Sequence, residues 1–283
     1  MLPAMSASHW ILPAPELRPF IDRYWSWEGE AGAALPMMLP GTGAELFFHI
    51  GEPFLMGGPG AIPGRAPRAH LNYAHDSPLK LVADGAVAFV SVRIRSGALR
   101  HLCAQPVAEL ANAQLDAREI WGAELAELSA RLSETADLAA CARRLDRWLL
   151  GLLAAHKRGH ALIDDAAIRL YYRHRDTQID ALAGHYRISR RHFERLFKQE
   201  LGCTPKSFLR TARFHQTVRD LFLASDREIL GLALDHGYYD QSHFIHEFSA
   251  FVGERPTRFF AHARDSHFYA PSLKSAGPSG SLR

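Results

Sequence analysis

The chain has 283 residues, 47% hydrophobic and 22% charged, with a formal net charge of +3. This is a globular composition, long enough for two domains with cores of their own, and the small positive balance permits nucleic-acid binding without demanding it. No run approaches the roughly 20 apolar residues of a membrane-spanning helix, and the opening MLPAMSASHW lacks the charged-then-apolar order of a secretory signal, so a cytoplasmic protein with no membrane partner is expected. Cys103, Cys141 and Cys203 are odd in number and far apart. Neither a disulfide framework nor a paired-cysteine zinc cluster is indicated, and inert thiols are expected.

The first third is rich in Pro and Gly and carries short apolar runs at residues 44–50 (AELFFHI), 79–83 and 86–94 (AVAFVSVRI). β-branched and aromatic runs between turn residues predict strands of a β sandwich or small barrel over residues 1–106. His49 in this region reads as a core or pocket residue; with only His70 and His75 to join it, no metal cluster can be assembled from the sequence. Trp25, Trp27, Phe47, Phe48, Phe89 and Arg93 could line a cavity, although aromatic residues in short strands more often form core. Gly57-Gly58-Pro59-Gly60 reads as a turn, and no Walker-type phosphate loop or nucleophile elbow occurs, so no catalytic residue, metal or cofactor is assigned.

From about Val107 apolar positions recur at helical spacing, as in Leu125, Leu128 and Leu132, then Leu138, Cys141, Leu145, Trp148, Leu149 and Leu152. Residues 107–160 are therefore predicted to be helical, packed on the core, with a homodimer interface as the other use of such a helix pair. Residues 159–165 are the expected junction, and the Pro/Gly/Ser-rich tail 271–283 is expected to be disordered.

Beyond the junction the chain is written twice. Ile179, Leu182, Ala183, Phe193, Phe197, Gly202 and Pro205 recur as Ile229, Leu232, Ala233, Phe244, Phe248, Gly253 and Pro256, at an offset of 50 that becomes 51 after one inserted residue. Each copy reads as helix, turn and second helix with a Phe pair at i, i+4 facing the core, the pattern of a helix-turn-helix. In the first copy Asp176 or Thr177 is the expected N-cap of a helix over 179–185, and Ser189 the cap of the next. That second helix turns Arg191, Glu194, Arg195 and Lys198 away from Phe193, Leu196 and Phe197. Arginine can pair with guanine O6 and N7, a carboxylate can accept from cytosine N4, and lysine suits a phosphate.

Thr204-Pro205 predicts a capped helix through to about Leu223, whose 19 or so residues at 1.5 Å each span roughly 28 Å, close to the ~34 Å between successive major grooves on one DNA face. Ser225 and Glu228 form a capping-box signature for a helix over 229–236, with Gly237 placed to end it. Asp240 then takes the place of Ser189. The outward positions become Gln241, Ser242, His243, Ile245, His246 and Ser249, without an arginine or lysine, so the first copy is expected to supply most affinity for duplex DNA.

These residues resemble the DNA-binding domain of the AraC/XylS family of bacterial transcription regulators over about Asp165 to Ala263. The run I-x2-LA-x3-GYYDQSHF-x3-F-x4-G-x2-P from Ile229 to Pro256 is similar to that family's signature. The resemblance implies base-facing roles for Arg191, Glu194 and Arg195, phosphate proximity for Arg190 and Lys198, and base-facing roles for Gln241, Ser242, His243 and His246. Two departures stand out: His246 occupies a place where the family commonly has arginine, and Ser249 one where it commonly has lysine.

The N-terminal region resembles the sensory domain of some family members through Pro15, Leu17, Pro19, Tyr24-Trp25, Leu35-Pro36, Pro40-Gly41 and Glu45-Leu46-Phe47. The resemblance implies a cupin-like β barrel followed by helices, a small-molecule effector, and RNA polymerase among the partners. The fold expected is thus α+β, a β domain with following helices and a C-terminal all-α domain (165–263) of two helix-turn-helix units joined by a long helix. Its expected function is that of a sequence-specific transcriptional regulator. The alternatives are a metal-dependent cupin-type enzyme fused to a DNA-binding domain, and a regulator controlled by a protein partner.

Overall fold

The computed structural model describes residues 7–33, 35, 38–135, 137–159, 161–223 and 229–263. The Ser225–Glu228 capping box, Pro36 and the tail from Pro271 lie outside the described residues. Strands β1 (Ala7–Ile11), β2 (Ile21–Gly29), β3 (Ala44–His49), β4 (Leu55–Gly57), β5 (Gly64–Arg65), β6 (Ala69–Tyr73), β7 (Lys80–Val82), β8 (Val87–Ile94) and β9 (Gln114–Asp116) come first. Then follow α1 (Arg118–Ser133), α2 (Leu138–His156), α3 (Ala161–Tyr172), α4 (Ile179–His185), α5 (Arg190–Leu201), α6 (Pro205–Leu223), α7 (Ile229–Asp235), α8 (Gln241–Val252) and α9 (Pro256–Ala263).

The strands form an antiparallel six-stranded sheet in the order β1-β2-β8-β3-β6-β9 and a smaller sheet in the order β5-β4-β7. Side chains alternate across the large sheet as a pleated strand requires. Leu46 and Phe48 of β3, Leu71 of β6 and Val90 and Val92 of β8 face α1 and α2, where Leu125, Leu132, Leu145, Trp148 and Leu149 meet them. Trp25, Trp27, Phe47 and Phe89 point the other way and pack on Phe54, Met56 and Leu81 of the small-sheet side. Alternation therefore separates Phe48 from Trp25, Trp27, Phe47 and Phe89: it lies on the helix side, edge-on to Trp148. The sheet also reaches past residue 107, because β9 pairs with β6 after a turn in which Asn112 adopts φ 58. Three residues are too few to show an alternating pattern.

The C-terminal half holds two aromatic cores. Phe193, Phe197, Leu201 and Phe208 pack with Ile163, Leu170 and Leu182, while Phe244, Phe248, Phe251 and Phe259 pack with Phe214, Val218 and Leu232. Each buried Phe contributes about 1.5–3 kcal/mol by leaving water. Because α6 gives Phe208 and Ala212 to the first core and Phe214, Val218 and Leu221 to the second, it is a structural member of both units. Its start is as the sequence implies, with Thr204 Oγ1 accepting from Ser207 N–H at 3.1 Å ahead of Pro205.

The two halves meet at a charged seam. Arg100, fully buried, donates from Nη2 to Asp164 of α3 at 2.9 Å and from Nη1 to Glu200 of α5 at 2.8 Å. His101 Nδ1 accepts from Arg158 N–H at 3.1 Å, which leaves its Nε2–H to donate to Asp164 Oδ1 at 2.9 Å. Tyr73 Oη donates to the Leu201 carbonyl at 2.8 Å, and Leu39 enters the second aromatic core. The β domain thus holds the C-terminal end of α5.

Candidate nucleic-acid interface

Helix α5 is framed by a serine and a glycine. Ser189 is the N-cap, its Oγ accepting from His192 N–H at 3.3 Å, and Gly202 ends the helix at φ 76 with its N–H on the Lys198 carbonyl. An αL cap of this kind suits glycine because no Cβ is strained there. With Phe193 and Phe197 buried, Arg190, Arg191, His192, Arg195 and Lys198 are exposed and Glu194 is half-buried. Arg190 is tied back into the protein, its Nη1 2.9 Å from Asp180 of α4 and its Nε 2.8 Å from Glu194. The hydrogen bond to Glu194, then the charge of Asp180, hold its guanidinium above the ordinary value. Arg195 lies along the helix between His192 Nδ1 at 3.1 Å and Gln199 Oε1 at 3.5 Å. Arg191 and Lys198 have no side-chain partner among the described residues.

The N-cap of α4 is corrected. Gln178 occupies the position without a side-chain bond, and Thr177 instead donates to the Arg173 carbonyl at 2.7 Å, closing the chain after α3. A hydroxyl spent on the preceding carbonyl does not accept from the following helix.

Helix α8 repeats the frame. Asp240 Oδ1 accepts from His243 N–H at 2.7 Å, and Gly253 ends the helix at φ 84. Gln241, Ser242 and His246 are exposed. His243 is partly engaged by the fold: its Nδ1 accepts from Tyr239 N–H at 3.3 Å, its ring meets Tyr238 edge-on, and its Nε2 lies 3.9 Å from Glu247. Two positions expected to face outward do not. Ile245 packs against the second core, and Ser249 Oγ is buried with no partner among the described residues. The core-facing arc of α8 is wider than the Phe244–Phe248 pair alone implies, since Phe251 and Val252 extend it.

Sequence reasoning missed three residues around α8. Glu247 is buried and receives Nη2 of Arg213 at 2.8 and 2.9 Å on its two oxygens and Nε of Arg210 at 3.1 Å. The same guanidinium groups cover Tyr238 and Phe251, each 4.6 Å from the ring centroid. Cations absent from α8 are therefore present beside it on α6. The signal was Arg210 and Arg213 at i, i+3 on the connector, legible only once α8 is known to lie against it.

In the β domain, His49 is buried as expected, yet among the described residues both its ring nitrogens lack partners, as do His70 Nε2 and Asn72 Oδ1. Burial foremost, then His70 and Arg68, pulls His49 down to about 3, and burial pulls His70 down to about 4, so both are neutral imidazoles. His70 Nδ1 lies 3.2 Å from the Pro67 carbonyl and donates to it, which leaves Nε2 as a bare acceptor. No group of three or more His, Cys, Asp or Glu able to hold a metal occurs among the described residues. Cys103, Cys141 and Cys203 are free, and burial pushes all three thiols up, Cys103 to about 11 and Cys203 to about 12.

A helix-turn-helix domain model matches residues 182–262, and a model described as a domain of unknown function (DUF6597) matches residues 9–116. The probable transcription factor PqrA of Proteus vulgaris is 30% identical over 87 residues, which cover 31% of this chain and 70% of that protein. The chain belongs to the AraC/XylS family of transcriptional regulators. An uncharacterized HTH-type transcriptional regulator of Haemophilus influenzae is 32% identical over 84 residues, and the transcriptional regulator MxiE of Shigella flexneri 30% over 86. This family member spans 28% and 40% of the length of those two relatives. Its fold is similar to that of ToxT from Vibrio cholerae, with a TM-score of 0.50 over 91% of this chain and 98% of that one at 11% identity. No helix among the described residues is long and apolar enough to cross a membrane.

Proposed function

We propose that the chain is a sequence-specific regulator that binds duplex DNA through α5 and α8 in successive major grooves and answers to a small molecule through its β domain. The observation that carries the DNA reading is the pair of similarly framed helices, one in each of the two units that share α6, each with its aromatic face buried and polar side chains exposed. In this reading Arg191, Glu194 and Arg195 meet bases, Arg190 and Lys198 lie near phosphates, and Gln241, Ser242, His243 and His246 address the second groove. The division into a sensory domain, a helical linker that serves a homodimer, and a reader from about residue 165 belongs to the same proposal, as does RNA polymerase as a downstream partner.

The unpaired atoms of His49, His70 and Asn72 support the small-molecule part, because buried polar groups left unmatched are costly and call for a partner. The partner chemistry they fit is mixed: a donor for His70 Nε2, Asn72 Oδ1 and the bare nitrogen of His49, and an acceptor for the His49 N–H. Control by a protein instead is favoured by the tight aromatic filling of the same interior by Trp25, Phe47, Phe54 and Phe89. Selection of bound sequences from a random DNA pool, with and without cell metabolites, tests all of this. A common two-part sequence whose yield changes with metabolites is expected, and a pool that stays random defeats the DNA reading.

A further inference from the structure

The two reading units are joined by a second link besides α6. His174, just past α3 on the first unit, brings Nε2 to 3.1 Å from Nδ1 of His236 at the end of α7 on the second. Their rings are nearly parallel, 6° apart in plane with centroids 5.3 Å apart. At one end of this chain His236 Nε2 lies 3.1 Å from Asp220 Oδ2 of α6, and at the other His174 Nδ1 lies 3.3 Å from the Tyr171 carbonyl. His236 is buried, while His174 and Asp220 are half-buried.

Counting protons shows what this chain needs. The Asp220 carboxylate and the Tyr171 carbonyl only accept, so the two ends require a hydrogen on His236 Nε2 and another on His174 Nδ1. The central contact between the rings requires a third. Two neutral imidazoles carry two, so all three bonds exist together only when the pair holds one extra proton, shared as a coupled unit. Asp220 favours that charge. Arg175 and Arg213 face His174 and oppose it, Arg219 and Arg175 compete for Asp220, and burial, the largest influence, pulls His174 down to about 4.

We propose that His174 and His236 are positioning residues that fix the distance and angle between α5 and α8, and that proton uptake by the pair completes the bridge. This rests on the reading of α5 and α8 as a two-groove DNA reader. With both rings neutral one of the three contacts is unmade, and the second unit is held to the first chiefly through α6, with Leu39 of the β domain against its core. As pH falls toward about 4 the pair takes up its proton, the bridge closes and the two helices hold one spacing. The residues touch no DNA themselves; they act through the placement of α8.

The test uses the full chain with duplexes carrying its selected two-part sequence, and the same duplexes with the second half-site moved by ~2 base pairs, over pH ~8 to ~4.5, a range that approaches the depressed His174 value. Wild type is expected to prefer the selected spacing, increasingly so as pH falls. His174→Gln and Asp220→Asn, at half-exposed sites and confirmed folded by thermal unfolding, should bind an isolated first half-site as wild type does. Both should lose about tenfold of the spacing preference, roughly the worth of one hydrogen bond at 1.4 kcal/mol, and show no pH dependence in what remains. Wild-type spacing preference in both variants, or a wild-type preference that does not change with pH, overturns the inference while leaving DNA reading intact. A wild-type chain that selects no sequence overturns the reading and the inference together.

Discussion

Arg187 and Gly237 occupy the same place in the two helix-turn-helix copies, and both have left-handed backbone, with φ 56 and 83. The turn geometry is thus common to both units, but only the second has the residue suited to it. An arginine there carries the Cβ strain that glycine avoids, and its side chain is exposed. Arg187→Gly should therefore stabilise the chain by about 0.5–1 kcal/mol, net of the greater chain entropy of glycine when unfolded. A lower urea midpoint than wild type would contradict this.

Arg195→Ala should weaken operator binding by about 1–3 kcal/mol and relax preference at one base pair, as expected for loss of a bidentate arginine contact. His246→Ala should cost much less, because α8 relies on neutral side chains and on cations beside it. Fluorescence anisotropy on the selected duplex and its single-base variants checks both, and equal losses would reject the ranking of the two readers.

Glu247 is the only acid contacting Arg210 and Arg213 among the described contacts, and it is buried while they reach solvent. Glu247→Ala should destabilise the second unit by about 2 kcal/mol, below the usual cost of halving a buried pair because both arginines can rehydrate. Protection of α8 amides from hydrogen exchange should fall with it, and unchanged protection would show that the aromatic core alone seats this helix.

Arg100 links the β domain to both α3 and α5 from a site with no solvent exposure. Burial by itself would raise the Asp164 carboxyl, but bonds from His101 and Arg100 outweigh it and hold the group below its ordinary value. The stability this supplies is present above the unfolded carboxylate range and is lost as pH falls through the lower folded value. Arg100→Ala should cost about 3 kcal/mol at neutral pH and separate the melting of the two halves in calorimetry. One undivided transition in the variant would mean that the remaining seam contacts suffice.

His49 and His70 predict a loss of stability in acid as well, but in a higher pH window. Both are depressed in the fold, to about 3 and 4, from an unfolded value near 6.5. Between those limits the unfolded chain binds more protons, so stability should decline as pH falls below 6.5, by up to about 1.4 kcal/mol per pH unit for each ring. His49→Leu should flatten this acid limb and raise stability at pH 7 by removing two unpaired polar atoms. Guanidinium melts from pH 4.5 to 8 measure both effects.

The repeat, the connector and the N-caps of α5, α6 and α8 were legible in the sequence because a helix-turn-helix is specified locally; the N-cap of α4 was not, since Thr177 turns back to the Arg173 carbonyl. Ser189, Asp240, Gly202 and Gly253 act on their own helices, and the Phe pairs show which face turns inward. The same locality explains why Arg191, Arg195 and Gln241 could be assigned to outer faces. It did not extend to Ser249 and Ile245, whose burial depends on how wide a neighbouring core is. In the β domain, runs 44–50 and 86–94 announced strands, but β4, β5 and β9 are too short to show a period.

By itself, then, the sequence determined the two helix-turn-helix units, the N-caps of α5, α6 and α8 and the outward turn of Arg191, Arg195 and Gln241, since those are contests between neighbours in the chain. Tertiary structure alone decided that Glu247 is gripped from α6, that Arg100 fastens α3 and α5 to the sheet, and that His174 meets His236 across 62 residues. Such contacts arise from packing elements distant in sequence. No spacing rule records them, because charge pairing and hydrogen bonding depend on separation in space.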